Sequence, residues 1–379
     1  MIDSYSTAAY GRMLADATRV EAYAAALARV VRPGAVVLDL GTGTGIFALL
    51  AVRLGARRVY AVDPTDAIRT AREVARENGV AGRIEFIQDD STRITLPERA
   101  DVLVSDLRGV LPPFQEIAAT LRDARERLLA PGGVLVPRAD ALLAAPVEAA
   151  QAWEAAAGPA TVLGFDFAAA RRTAFNEWRR GVFDPSQLLA GAAEWARMDY
   201  AALEDPDVRG GAEWRAARAG TAHGLAVWFR AELAEGVAFD SGPGSATIYQ
   251  TAFFPFPEPV RLAAGDPVRA TLEARLVGGD YLWRWDTAAE PAGAPPAVFR
   301  QSTFLSTLPS PERLRRHADA FVPRLSGDGR IAAFVLSRMD GGATAGQIAR
   351  EVMERFPGRF GHWEAAVSHV GQLSERYSA

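Results

Sequence analysis

No cysteine occurs in the 379 residues, which excludes disulfides, thiolate metal sites and a cysteine nucleophile. Histidine is nearly as scarce. The four present, His223, His317, His362 and His369, never fall into an H-E-x-x-H spacing, so no metal site is expected. No run approaches the roughly 18 consecutive apolar residues of a membrane-spanning helix. The first residues, MIDSYSTAAYGRML, have neither the basic start nor the apolar centre of a secretory signal. A formal net charge of −4, with both signs well mixed, leaves no basic footprint for nucleic acid. These absences together predict a cytoplasmic protein with no nucleic-acid or membrane partner, long enough for two or three domains.

Glycine, by contrast, is concentrated where it counts. In VVLDLGTGTGIF, residues 36–47, an apolar run breaks into Gly41, Gly43 and Gly45 and then becomes apolar again. Val36, Val37, Leu38 and Leu40 suit a strand buried on both faces of a parallel sheet, with Asp39 the exception inside it. Three glycines without Cβ atoms let the backbone turn tightly and let a ligand approach it, while the following helix aims free N–H groups at the same place. The dinucleotide fingerprint G-x-G-x-x-G does not fit, because Ile46 stands where its third glycine belongs. A dehydrogenase is therefore the losing alternative.

The next segments repeat the theme. RRVYAVDP gives a strand ending in Asp63, about twenty residues past the turn, where nucleoside-binding α/β units place a carboxylate on the ribose. RIEFIQDD ends in Asp89 and Asp90, with Ser91 next. DVLVSD ends in Ser105 and Asp106. Four strands that release glycine or polar residues at their carboxyl edge define a ligand crevice. Before them, residues 5–30 carry an amphipathic helical pattern, with Arg19 either on a solvated face or aimed at a ligand.

Alternation of α and β ends near Pro137, and VLVP is expected as a separate strand after the turn Pro131-Gly132-Gly133. GLAVWFRAEL, TIYQTAFFPF, VRATLEARL and DYLWRWD then read as antiparallel strands, and AAARRTAFNEWRRGVF as a helical arm or lid. AAEPAGAPPA, residues 288–297, reads as a linker. Beyond it three short helices are expected, one capped by Thr344 with Gln347. The expected fold is α/β: an N-terminal helical segment (1–34), a Rossmann-like domain (35–140), an antiparallel β-barrel domain with a helical arm (141–300) and a small helical domain (301–379).

Asp39-x-Gly-x-Gly-x-Gly resembles the first motif of class I S-adenosylmethionine (SAM) methyltransferases. From Tyr5 to about residue 300 the chain resembles, more narrowly, the protein arginine methyltransferases. Met13-Leu14-Ala15-Asp16-Ala17-Thr18-Arg19 is similar to that family's M-L-x-D-x-x-R, whose arginine pairs with the carboxylate of the cofactor's methionine. The resemblance implies SAM as cofactor, with S-adenosylhomocysteine as product. It implies a cofactor site of Arg19, Asp39, Gly41, Gly43, Gly45, Asp63, Asp90 and Ser91, covered by Tyr5, Tyr10 and Met13. Gly164-Phe165-Asp166-Phe167, the segment 184–188 and His223-Gly224-Leu225 resemble the family's arm and barrel, which implies a homodimer.

Departures from the family lie in the substrate loop. The family's S-E-x-M-G and second glutamate here become Ser105-Asp106-Leu107-Arg108-Gly109 and, further on, Gln115-Glu116. The family's threonine-histidine-tryptophan loop reads Ala246-Thr247-Ile248. A guanidinium needs nearby negative charge, and the loop adds a cation instead. Asp106 and Glu116 are the candidate catalytic acids, and Arg108 either holds an anionic part of the acceptor or forms a salt bridge that shapes the loop. The expected activity is N-methylation of a peptide or small molecule with an amine- or arginine-like acceptor. The alternatives are O-methylation of a carboxylate or hydroxyl, or a catalytically silent SAM-binding partner protein. The C-terminal segment weakly resembles winged-helix modules that bind leader peptides, and the reading preferred for it is a structural add-on that caps the barrel or the dimer.

Overall fold

The computed structural model describes residues 7–306 and 310–378. The chain forms two compact units, Met1–Thr307 and Leu308–Ala379. Among the described residues no helix is long and apolar enough to cross a membrane.

The amphipathic run at the start is two helices, α1 (Thr7–Ala15) and α2 (Ala17–Val30). Asp16 breaks it: its carboxylate accepts the Arg19 N–H at 3.0 Å and caps α2, the role short acidic side chains fill at helix starts. β1 (Val36–Leu40), α3 (Ile46–Arg53), β2 (Arg58–Val62), α4 (Ala67–Glu77), β3 (Ile84–Ile87), β4 (Ala100–Ser105), α5 (Ile117–Arg127) and β5 (Leu129–Val136) follow. The five strands pair in parallel in the order β3-β2-β1-β4-β5. Every residue of β1 is buried, as a strand covered on both faces requires. Strand order reverses between β1 and β4, where Leu40 lies opposite Ser105. The residues that follow these two strands therefore open one crevice at the carboxyl edge, where such sheets bind ligands. The turn expected at Pro131-Gly132-Gly133 is instead absorbed into β5, whose register against β4 slips between Leu129 and Val134.

The rest of the first unit is antiparallel. β6 (Ala139–Val147), α6 (Ala150–Ala157), the hairpin β7 (Thr161–Val162) and β8 (Phe165–Asp166), α7 (Ala168–Ala174), β9 (Arg179–Gly181) and β10 (Ala193–Asp199) lead to the longer strands. These are β11 (Val208–Arg215), β12 (Gly220–Ala234), β13 (Val237–Asp240), β14 (Thr251–Leu262), β15 (Pro267–Val277), β16 (Asp280–Ala289) and β17 (Ala297–Ser302). One sheet runs β10-β6-β12-β14-β9 with β13 on β12, and the other runs β11-β15-β16-β17. They meet through aromatic side chains. Phe254 packs edge-on against Trp283 and Trp285, with ring centroids 5.5 and 4.9 Å apart, an orientation aromatic pairs favour.

Two expectations fail here for stated reasons. The arm is helical only over α7, because Trp178 and Phe183 are drawn onto Phe254 and Phe253 of the sheet and β9 pairs with β14. Residues 288–297 are not a linker. Ala288 and Ala289 pair with Val298 and Ala297, so the Pro-rich stretch is the loop of the β16–β17 hairpin, a role that composition does not distinguish.

The second unit holds α8 (Pro311–Arg315), α9 (Gly327–Ser337), α10 (Ala345–Arg355) and α11 (Trp363–Tyr377), and no strand among its described residues. A wing is therefore absent from what is described. Ile331, Val335, Ile348, Val352, Ala366 and Val370 form its core. Thr344 and Gln347 make the expected reciprocal cap of α10.

Candidate functional site

The glycine turn between β1 and α3 takes up left-handed backbone at all three glycines, with φ of 75° at Gly41, 53° at Gly43 and 89° at Gly45. A side chain at Gly41 would overlap Leu107, and one at Gly43 would meet the ring of Tyr10, so neither position admits a Cβ without displacement. Tyr10, on α1, thus lies over the turn.

Acidic side chains hold the turn from below. Asp63 accepts the Gly43 N–H at 2.8 Å with one oxygen and the Thr65 N–H and hydroxyl with the other. Asp39, fully buried, accepts the Thr42 hydroxyl at 2.7 Å and the Ala48 N–H at 2.9 Å, both on Oδ2. Its Oδ1 is buried with no partner among the described residues. Burial pushes the Asp39 carboxyl up to about 7, against the lowering effect of its two hydrogen bonds.

Arg19 closes the third side. Its Cζ lies 5.7 Å from the centre of the Phe47 ring at the start of α3, its Nη2 donates to the Met13 carbonyl at 2.6 Å, and its Nε is buried without a partner among the described residues. The remaining nitrogen, Nη1, donates to Asp106 at 2.5 Å. Asp90 lies in the loop after β3 and accepts the Thr92 N–H and hydroxyl, which hold its carboxyl below the usual range. Ser91 is buried beside it, with its carbonyl bound by Arg127.

Across the strand reversal from this turn, Asp106 follows β4 and sits inside a buried network. Its Oδ1 accepts Arg108 Nη1 at 3.0 Å and the Tyr249 hydroxyl at 2.5 Å, while Oδ2 is held by Arg19. Arg108 in turn places Nε and Nη2 on the two oxygens of Asp140, at 2.7 and 3.0 Å, and gives Nη1 also to the Tyr23 hydroxyl at 2.7 Å. Asp140 accepts the Tyr200 hydroxyl as well. Burial alone would raise the Asp106 carboxyl, but Arg19 and Arg108, with Tyr249, outweigh it and hold the group below the ordinary carboxylate range. Burial likewise opposes the charge of Arg108, yet Asp140 foremost keeps its pKa well above normal. Tyr23, Tyr200 and Tyr249 are all pushed above the ordinary phenol range, chiefly by burial, and stay neutral.

The structure therefore brings Arg19, Asp106 and Arg108 together and keeps the glycine turn, Asp39 and Asp63 beside them. It does not bring Glu116 to Asp106. Glu116 is exposed at the start of α5, with its carboxylate beside Gly279 of the β15–β16 turn. Gln115 before it has φ of 47°, which turns the chain outward there. Tyr5 lies outside the described residues. Met13 contributes its carbonyl, to Arg19. Of the two readings of Arg108, the hydrogen bonds favour the internal salt bridge, since all three of its nitrogens are engaged within the chain.

Sequence reading missed Tyr23, Asp140, Tyr200 and Tyr249. One signal was available for Asp140: it is the lone charge in the apolar strand ADALLAAPV, and such a charge demands a partner. Asp16 was also missed as a link between regions. Its second oxygen accepts the Ile248 N–H at 2.9 Å and ties the start of α2 to the loop before Tyr249.

Residues 21–153 match the family model described as ribosomal protein L11 methyltransferase (PrmA). The chain is 29% identical to protein arginine N-methyltransferase 1 of Schizosaccharomyces pombe over 65% of its own length and 75% of that protein. It is 40% identical to protein arginine N-methyltransferase PRMT10 of Oryza sativa subsp. japonica, over 36% of each chain. Among solved structures, the fold matches the Trypanosoma brucei PRMT1 enzyme-prozyme heterotetrameric complex with AdoHcy at a TM-score of 0.70 and 24% identity, covering 77% of this chain and 96% of that one. Arabidopsis thaliana protein arginine methyltransferase 10 matches at a TM-score of 0.69 and 20% identity, over 78% and 97%.

Proposed function

We propose an acceptor chemistry that proceeds from one premise: the chain is a class I SAM-dependent methyltransferase that resembles the protein arginine methyltransferases. The residues at the β1 edge suit the donor. Two buried polar atoms there have no partner among the described residues, the donor Arg19 Nε and the acceptor Asp39 Oδ1. Unpaired buried polar groups are costly, and the carboxylate and ammonium of a methionine end would satisfy one each. Asp63 would meet the ribose, and Asp90 with Ser91 would border the base.

SAM, when bound, supplies a methyl group on a cationic sulfur. Transfer by in-line displacement asks the protein to hold the acceptor atom close and aligned. Asp106, one strand away from the glycine turn, can accept an N–H from the acceptor and so orient its lone pair. A nitrogen that gains a methyl group gains positive charge, whereas a carboxylate loses its negative charge. The ionised Asp106 stabilises the first of these transition states, and it repels a carboxylate acceptor before any transfer can begin. We therefore assign the reaction as N-methylation of a peptide or small molecule. The observation that carries this is a carboxylate held ionised at the strand reversal beside the cofactor turn.

A homodimer is part of the proposal. The β7–β8 hairpin leaves Leu163, Phe165 and Phe167 exposed at 92, 70 and 43%, an apolar tip suited to a second copy of the chain. Incubation with isotope-labelled SAM and an acceptor pool, followed by mass spectrometry, should show one added methyl on nitrogen, with the enzyme at the mass of two chains in light scattering. Asp106→Asn should abolish the gain while S-adenosylhomocysteine still binds. Label found only on oxygen, or an unaffected Asp106→Asn enzyme, would sink the assignment.

A further inference from the structure

Arg108 satisfies with its own guanidinium the carboxylate that an acceptor would use. Nε and Nη2 lie side-on against Asp140, and Nη1 reaches Tyr23 and Asp106. Four of the five N–H groups of a guanidinium are thereby placed, one on Nε, two on Nη1 and one on Nη2. Asp140 is entirely buried, accepts a further hydrogen bond from Tyr200, and belongs to β6, whereas Arg108 belongs to the loop after β4. Phe229 lies under the guanidinium, 5.4 Å from its Cζ to the ring centre. This is a built site, with its ligand supplied by the chain.

The consequence falls on Asp106. Its Oδ1 is taken by Arg108 and Tyr249, which leaves only the Oδ2 edge, now held by Arg19. A guanidinium pairs best with a carboxylate through two parallel N–H···O bonds, one to each oxygen. That pairing is closed here, and an incoming guanidinium would also lie against the fixed charge of Arg108. An amine-type nitrogen needs only one oxygen for one N–H.

We infer that Arg108, with Asp140 as its buried counter-ion, determines acceptor class by occupying the guanidinium subsite, so that the enzyme takes an amine-type nitrogen and refuses arginine side chains. The inference rests on the donor site and on nitrogen as the acceptor atom. Asp140 and Tyr200 act through Arg108 and are positioning residues.

The test compares a short glycine-flanked arginine peptide with its citrulline counterpart, a neutral isostere, both titrated into protein saturated with S-adenosylhomocysteine. Wild type should bind the two within twofold of each other. Arg108→Met combined with Asp140→Asn removes the internal pair, keeps an acceptor for Tyr200, and should bind the arginine form at least tenfold more tightly than the citrulline form. A tenfold arginine preference in wild type overturns the inference, as does a folded double variant that binds S-adenosylhomocysteine normally without gaining that preference. Should the double variant not fold, the wild-type comparison decides alone. Methylation of an arginine guanidinium by wild type defeats this inference and leaves N-methylation standing. Methylation of oxygen defeats N-methylation and with it the amine-type acceptor inferred here, even if the two peptides bind alike.

Discussion

The two edges of the crevice are built on opposite plans. Beside β1, Arg19 Nε and Asp39 Oδ1 are buried without a partner among the described residues. Beside β4, both oxygens of Asp106, both oxygens of Asp140 and all three nitrogens of Arg108 have partners inside the chain. A site that leaves polar atoms unpaired depends on its ligand for hydrogen bonds and binds a fixed one well. A site that satisfies itself offers a newcomer little, and can be selective by refusing what it already contains. The β1 side thus has the features that the proposed cofactor cradle requires, and the β4 side is closed around an arginine of its own.

Breaking the self-satisfied side should produce the largest effect. Asp140→Ala strands the buried Arg108 cation and the Tyr200 hydroxyl together, and removal of one member of a buried pair costs about 3–5 kcal/mol. Denaturant unfolding should show a loss of that size, and Arg108→Met in the same chain should restore most of it. If Asp140→Ala is as stable as wild type, the network is not the keystone of this edge.

Arg19 is a side chain that both edges use, which makes it the place to sharpen the contrast. Arg19→Ala should weaken S-adenosylhomocysteine binding by about 10- to 100-fold in calorimetry, the worth of a charge-assisted hydrogen bond or two. Asp106→Asn should do the reverse and tighten it a few-fold, because the neutral amide no longer competes for Arg19. Unchanged affinity in both variants would mean that Arg19 serves only the acceptor side.

How far these plans could be read from the chain follows the same divide. The donor edge is written in short-range spacing: the glycines, Asp39 and Asp63 fall on one strand–turn–helix–strand unit, and the structure places them together. Asp106 was legible as the end of a strand. The Arg108–Asp140 pair was not, because the partners are 32 residues apart on separate elements and nothing in the intervening sequence specifies which carboxylate an arginine will find. Tyr249 comes from 143 residues beyond Asp106. Local pattern also misplaced Glu116, where proximity to Asp106 in sequence suggested a pair, whereas Glu116 is exposed and Asp106 lies in a buried network. The Pro-rich hairpin loop between β16 and β17 failed for a related reason, since the chemistry of a loop says nothing about whether its two ends pair.

The smallest effect lies on the donor edge and concerns pH. Asp39 titrates near 7 because it is buried, and its neighbours are the Thr42 hydroxyl, the Ala48 N–H and the like charge of Asp63. A folded-state pKa above the unfolded value means that the stability this group contributes is present at low pH and lost as pH rises through about 7. A bound ammonium reverses the preference, since it favours the ionised carboxylate. Unfolding midpoints of the free protein should therefore fall as pH rises from about 4 to about 7 and level off above it, while S-adenosylhomocysteine affinity rises over the same range by up to about tenfold per unit. Asp39→Asn should flatten both profiles. An affinity that stays flat while stability falls with pH would remove Asp39 from the ammonium's side of the pocket.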